Sequence, residues 1–160
     1  MDIKVKYVED EDYSTIVKLL KENEIMGMPE DIISRGYYSP AAIKQRVQMG
    51  METILVAKQG DTTCGFIIVS TGVSDDISAI PIVLVDPQHR RKGVASILVE
   101  KTIEELKKVG SHKLYANVHY RNKPSLMLFT KTGFIPEVYM RDMYLLGEHV
   151  IVYAYYLDEP

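Results

Sequence analysis

Arg90, Arg91 and Lys92 stand together immediately ahead of Gly93. Three adjacent cations suit an anion, and the glycine lets that anion approach the backbone with no Cβ in the way. An apolar run, Ile82-Val83-Leu84-Val85, precedes the cluster, and Asp86-Pro87-Gln88-His89 leads the chain into it. Beyond it, Ala95, Leu98, Val99, Thr102, Leu106 and Val109 recur at helical spacing, with Glu100, Lys101, Glu104, Lys107 and Lys108 on the opposite face. A helix start carries N–H groups without intrahelical partners and a partial positive charge, so this strand, loop and helix start suit a phosphate or pyrophosphate. Glu104 precedes Lys108 in the order that favours a helical ion pair, and Gly110 is expected to stop the helix.

The spacing Arg90-x-x-Gly93-x-Ala95 resembles the Gln/Arg-x-x-Gly-x-Gly/Ala loop of the GNAT superfamily of acyl-CoA-dependent N-acetyltransferases. Further on, Val118-x-x-x-Asn122-x-x-Ser125-x-x-Leu128-Phe129-x-x-x-Gly133-Phe134 is similar to the second half of that family's core. Together the two stretches run from Ile82 to Phe134. The resemblance implies acetyl-CoA as co-substrate, and it implies roles. Backbone N–H groups of Arg91, Lys92, Gly93, Val94, Ala95 and Ser96 would bind the pyrophosphate, with Arg90 beside them. The exposed backbone of Val83, Leu84 and Val85 would pair with the pantetheine arm, and an N–H there would polarise the thioester carbonyl. Asn122 is read both as a helix cap and as a hydrogen-bond partner of the pantetheine, through different atoms. Ser125 and Phe129 fall in the same expected cofactor-contact stretch.

Acetyl transfer to a primary amine needs a held thioester, a polarised carbonyl, a neutral amine and a proton for the departing thiolate. Many members of the family carry a tyrosine as that acid where this chain has Phe129. The glutamate often found in the family's fourth strand is also missing from Ser78-Ala79-Ile80-Pro81-Ile82-Val83. His119, at the end of the fifth strand beside the expected cofactor gap, is the side-chain candidate for the base. Glu52, Asp75 and Asp76 are weaker candidates. An α-amine of pKa ~7.7–8.0 is substantially neutral near pH 7, whereas a lysine of ~10.4 is not, so the missing base leans towards a low-pKa amine or a water relay. The leading reading is direct attack in a ternary complex. The alternative is a non-catalytic module of the same fold that binds acyl-CoA and acts through a protein partner, with the apolar last strand as the contact.

Ile3 to Tyr7 alternates as a strand. Asp10, Glu11 and Asp12 open a helix carrying Tyr13, Ile16, Val17 and Leu20, by capping and by the dipole. From Glu24 to Tyr38 no period survives, with Gly27, Pro29 and Gly36 breaking it. Its apolar residues, Ile25, Met26, Met28, Ile32, Ile33, Tyr37 and Tyr38, either pack over the core or form a lid over the acceptor. Ser39-Pro40 starts a second helix with Ile43 and Val47 inward. Thr53–Lys58 and Cys64–Thr71 read as a hairpin, and Gly72–Asp76 turns into the strand Ala79–Val85. Lys113–Tyr120 is the next strand, with Tyr115, Asn117 and His119 on one face. Asn122 and Pro124 start a helix that Gly133 ends. Glu137–Leu146 and Val150–Leu157 close the chain as strands around Gly147-Glu148-His149. The last is apolar on both faces, hence interior to the sheet or covered by a partner. This order resembles the GNAT fold, of α/β class and α+β type. That fold is a mixed, mostly antiparallel twisted sheet of about seven strands, with helices on both faces and a parallel, splayed pair at strands 4 and 5.

With 160 residues the chain is expected to be a single domain over 1–160. A net charge of -3 implies no general affinity for nucleic acid or an anionic membrane, so the basic loop suits a small anionic ligand. Cys64 is the single cysteine, which excludes an intrachain disulfide and a cysteine-based zinc site and leaves a small buried hydrophobe. Met1-Asp2-Ile3-Lys4 lacks the apolar run of a signal peptide, and the expected location is cytoplasmic. The expected partners are acetyl-CoA and a small-molecule or peptide amine, with a homodimer left open.

Overall fold

The computed structural model describes residues 2–28, 31–32, 35–74 and 76–159. Seven strands form one sheet: β1 (Lys4–Tyr7), β2 (Glu52–Gln59), β3 (Thr62–Ser74), β4 (Ile77–Val85), β5 (Lys113–His119), β6 (Ile135–Met140) and β7 (Val150–Tyr156). Their order is β1-β2-β3-β4-β5-β7-β6. Every neighbouring pair is antiparallel except β4 and β5. Helices α1 (Asp12–Glu22) and α2 (Pro40–Gln48) cover one face, and α3 (Val94–Lys108) and α4 (Lys123–Lys131) cover the other. The expected mixed sheet with helices on both faces is therefore present. No helix among the described residues is long and apolar enough to cross a membrane.

The central strands are apolar on both faces because each face meets helices. Ile54, Val56, Phe66 and Ile68 pack towards α1 and α2, while Leu55, Ala57, Ile67 and Val69 pack towards α3. Each fully buried side chain of this size contributes about 1.5–3 kcal/mol. Cys64 is buried among them, as a small hydrophobe. The doubly apolar β7 lies inside the sheet, between β5 and β6.

Strands β4 and β5 pair only from Ile77↔Lys113 to Ile80↔Ala116. Beyond that they part, although β4 stays on β3 as far as Val85 and β5 stays on β7 as far as His119. Pro81 stands at the parting. It has no N–H to donate to a ladder and is tolerated only where pairing lapses. The register of β4 on β3 also slips here, between Ile68↔Ile82 and Ser70↔Ala79. Consequently Ile80 packs with α3 while Ile82 packs with α1, although residues two apart in a regular strand share a face.

Several local expectations are corrected. The strand expected over Glu137–Leu146 starts earlier and ends at Met140, and 141–149 is a loop. Asp142 turns into the left-handed region (φ 50°), its carboxylate accepts from Gly147 N–H (2.7 Å), and His149 Nδ1 accepts its N–H (3.0 Å). Leu146 is 93% exposed, with no buried face to hold it in a strand. The turn expected at Gly72–Asp76 is shorter, since β3 runs to Ser74 and β4 begins at Ile77. On α3, Val109 is exposed past the helix end, while Val94 and Ile103 join the buried face. Lys108 pairs with Glu105 (2.7 Å), and Glu104 instead pairs with Lys101 (2.9 Å). No acidic side chain caps α1. Asp12 instead accepts the Glu9 N–H (2.9 Å) and meets the Lys58 ammonium at 2.8 Å. Ser39 does cap α2, accepting from Ala42 N–H. Pro29, Ile33 and Asp75 lie outside the described residues.

Candidate active site

The basic loop follows β4 through a single turn of 3₁₀ helix (Pro87–His89), started by Asp86, whose carboxylate accepts the Gln88 N–H at 2.8 Å. Arg91 (φ 58°) and Gly93 (φ 82°) then take left-handed backbone. For a residue with a Cβ that costs about 1–3 kcal/mol and persists only where the surroundings demand it. A Cβ added to Gly93 would meet nothing within 4 Å. The first bond of α3 runs from Ile97 N–H to Gly93 O (3.1 Å), and no side chain caps the start. The N–H groups of Val94, Ala95 and Ser96 therefore stand outside the helix ladder, as an anion site requires.

The three cations of the loop do different things. Arg90 is tied down, with Nε donating to Val85 O (3.1 Å) and Nη2 to Asn23 Oδ1 (2.7 Å), which fixes the loop to the end of β4 and of α1. Lys92 Nζ donates to Gln88 O (2.9 Å). Arg91 is exposed and has neither a hydrogen bond nor an ion pair among the described residues.

The parting of β4 from β5 leaves a narrow gap of about 70 Å³, with Pro81, Ile82 and Val83 on one side and Asn117, Val118 and His119 on the other. Asn122, Ser125 and Phe129 border its α4 side. Asn122 Oδ1 caps α4, accepting the Ser125 N–H at 3.2 Å. Phe129 is buried against Phe134 and Tyr153 (ring centroids 5.0 and 6.3 Å) and offers no hydroxyl. Met26 from the loop after α1 borders the gap as well.

A wide cleft of about 1110 Å³ lies between the end of α1 with its following loop and the β6–β7 loop. His119 lines both this cleft and the gap. Where the two loops meet, a Cβ on Gly27 (φ 80°) would lie 3.0 Å from the Tyr144 ring and 3.8 Å from His119 Cδ2, a tight contact at a left-handed position that favours glycine. His119 is 7% exposed. Its Nδ1 accepts the Arg121 N–H (3.2 Å), and its Nε2 lies 2.5 Å from Glu148 Oε2. A backbone N–H can only donate, so Nδ1 is the unprotonated nitrogen and Nε2–H donates to the carboxylate. Tyr38, also in the cleft wall, has its phenol pushed up to about 12 by burial and stays protonated.

The structure thus brings His119, Asn122, Ser125, Phe129 and Val83 to one gap, with Leu84 and Val85 continuing along the same strand to the loop. Glu52 is elsewhere, in an ion pair with Arg46 (3.0 Å). Asp76 is exposed in the turn between β3 and β4 and lines neither the gap nor the cleft, while its main-chain carbonyl receives the N–H groups of His112 and Lys113. Sequence reasoning missed Glu148, which it placed in a turn. The signal that finds it is register: β7 pairs Val150 with His119, which carries the residues just before Val150 to the imidazole.

Residues 29–134 match the model of the Acetyltransferase (GNAT) family. No curated protein sequence matches the chain. Among solved structures, an N-acetyltransferase from Staphylococcus aureus Mu50 superposes with a TM-score of 0.84 at 19% identity, covering 99% of this chain and 100% of that one. The yncA protein of Salmonella typhimurium, solved with its cofactor acetyl-CoA, gives 0.83 at 18% identity, over 99% and 95%. The ribosomal-protein-S18-alanine N-acetyltransferase of Escherichia coli gives 0.76 at 21% identity, over 99% and 96%. At these identities the likeness is one of fold.

Proposed function

The chain belongs to the GNAT acetyltransferase family, and from that premise we propose that it transfers the acetyl group of acetyl-CoA to a primary amine by direct attack in a ternary complex. The observation that carries this reading is the gap between β4 and β5. His119 lines both this gap and the wide cleft, and β4 runs on from the gap to the basic loop. A two-substrate reaction needs two approaches meeting at one point, and His119 marks the point.

In this reading the uncapped start of α3 holds the pyrophosphate through the N–H groups of Gly93, Val94, Ala95 and Ser96, with Arg91 and Lys92 adding charge. Arg90 shapes the loop rather than touching the ligand, since both its bonds are internal. Val83, Leu84 and Val85 offer backbone groups to the pantetheine arm. Asn122 has its Nδ2 left for the same arm while Oδ1 caps α4. The group bound here supplies an activated acetyl thioester. Phe129 cannot protonate the departing sulfur, but a thiolate of pKa ~8.5 leaves unaided near neutral pH. The amine is the substrate of the wide cleft.

The test is thiol release from acetyl-CoA across a panel of primary amines, including amino acids, polyamines and peptide N-termini, together with melting in the presence of acetyl-CoA and CoA. Both ligands should raise the melting temperature, because each binds only the folded state. At least one amine should speed thiol release. Stabilisation by both ligands without turnover on any amine would leave a binding module and refute the enzyme.

A further inference from the structure

The geometry points to Glu148, held in place by His119, as the group that takes the proton from the attacking amine, an assignment that rests on the acetyl-transfer reading above. A histidine beside a reaction gap is the obvious base, but here neither ring nitrogen is available. Nδ1 is occupied by the Arg121 N–H (3.2 Å), and Nε2 already carries the proton it donates to Glu148 (2.5 Å). The imidazole therefore presents no lone pair to the cleft. It presents a carboxylate instead, through Glu148 Oε2.

Glu148 meets the other requirements. It lines the wide cleft, and its side chain is 37% exposed against 5% for His119, so it is the member of the pair a substrate reaches. Oε1 makes no hydrogen bond among the described residues and is free to accept one. The charged groups facing the pair come from three elements. Arg121 follows β5, with its guanidinium stacked on Tyr120 (5.1 Å). Lys21, Glu22 and Glu24 come from the end of α1 and the loop after it. His149 and Asp142 belong to the β6–β7 loop and are bonded to each other. None of these makes an ion pair with Glu148 among the described residues, so its carboxylate is left for the substrate.

The neutral amine nitrogen gives its lone pair to the thioester carbonyl carbon, and a C–N bond forms. The nitrogen becomes cationic and its N–H acidic, so a carboxylate suffices as acceptor, and one proton passes to Glu148 Oε1. The C–S bond breaks and the sulfur leaves with the bonding pair as thiolate. Amide, thiolate and protonated Glu148 result, and Glu148 returns its proton to the solvent of the open cleft. His119 changes no protonation state. It is a positioning residue, fixing the carboxylate and stabilising its charge.

The experiment compares the parent with Glu148→Gln, His119→Ala and His119→Gln, on amines of graded basicity. Glu148→Gln should lower kcat about 10²–10⁴-fold, with the KM for acetyl-CoA unchanged and the loss smaller for less basic amines. The acid limb of its rate–pH profile should follow the acceptor's neutral fraction alone. His119→Ala should lower kcat by less than Glu148→Gln does, because it removes only the group that orients the carboxylate. His119→Gln should recover part of that loss, because its amide N–H can still donate to the carboxylate. Nitrogen NMR of the parent imidazole should show an unprotonated Nδ1 and a protonated Nε2, a readout that needs no acceptor. CoA-induced stabilisation in each variant checks that the fold and cofactor site persist. An active parent with an indifferent Glu148→Gln overturns the assignment alone, as does an Nδ1–H tautomer. A parent inactive with every amine overturns the acetyl-transfer reading and this role with it.

Discussion

Gly93 gives the sharpest separation of fold from function. An alanine at this left-handed φ of 82° costs about 1–2 kcal/mol in backbone strain. The added Cβ would meet no atom within 4 Å, so there is neither a clash to add nor packing to gain. For a chain of this length each kcal/mol moves the melting temperature roughly 2–4 °C, so Gly93→Ala should melt about 2–8 °C lower than the parent. A ligand at 100 times its Kd stabilises the parent by about 2.7 kcal/mol, a rise of roughly 5–11 °C. If the pyrophosphate lies on the glycine backbone, the methyl group pushes it off the N–H groups of Val94, Ala95 and Ser96. A tenfold weaker Kd alone removes about 1.4 kcal/mol, half of that rise. Scanning fluorimetry with and without acetyl-CoA reads both numbers on one sample. A variant that melts lower as calculated yet keeps the full ligand-induced rise would refute the placement of the cofactor at this loop.

Two further outcomes follow from the ion pairs. Lys58→Met removes the ammonium 2.8 Å from Asp12, whose side chain is only 2% exposed. Stranding that carboxylate should cost about 3–5 kcal/mol in urea unfolding, and adding Asp12→Asn should restore most of it; an additive double variant would refute the coupling. Glu105 is held down to about 2, chiefly by Lys108 and then by the Tyr7 hydroxyl. A carboxyl depressed in the folded state contributes stability above its unfolded value and loses it as pH falls through the folded one. The melting difference between the parent and Glu105→Gln should thus hold steady above pH 4.5 and shrink as pH falls towards 2; a difference independent of pH would contradict the pairing.

The order of strand, basic loop and helix around Gly93 was legible in the sequence because its determinants are contiguous: apolar strand, cations, Gly93, amphipathic helix. For β7 the sequence left two places, interior to the sheet or covered by a partner, and the strand order puts it in the first, between β5 and β6. What sequence could not supply depends on register and packing. Glu148 reaches His119 across 29 positions, and Arg90 reaches Asn23 across 67. The first follows from how β5 pairs with β7, and the second from how α1 packs on the sheet. The overlong strand expected through Leu146 fails for another reason. An apolar run makes a strand only where it pairs and is buried, and the side chains of Tyr144, Leu145 and Leu146 are all exposed.

Pro81 ends the β4–β5 ladder through covalent chemistry, since no rearrangement can give a proline an N–H. A gap made by packing alone would compete with a closed form in which the two strands zip together, and a ligand would bind only the open fraction. Its measured affinity would be reduced by that fraction. Here the zipped form lacks a donor at the position where zipping must continue. An extended ligand laid along β4 beyond Pro81 therefore meets a strand edge that β5 does not occupy.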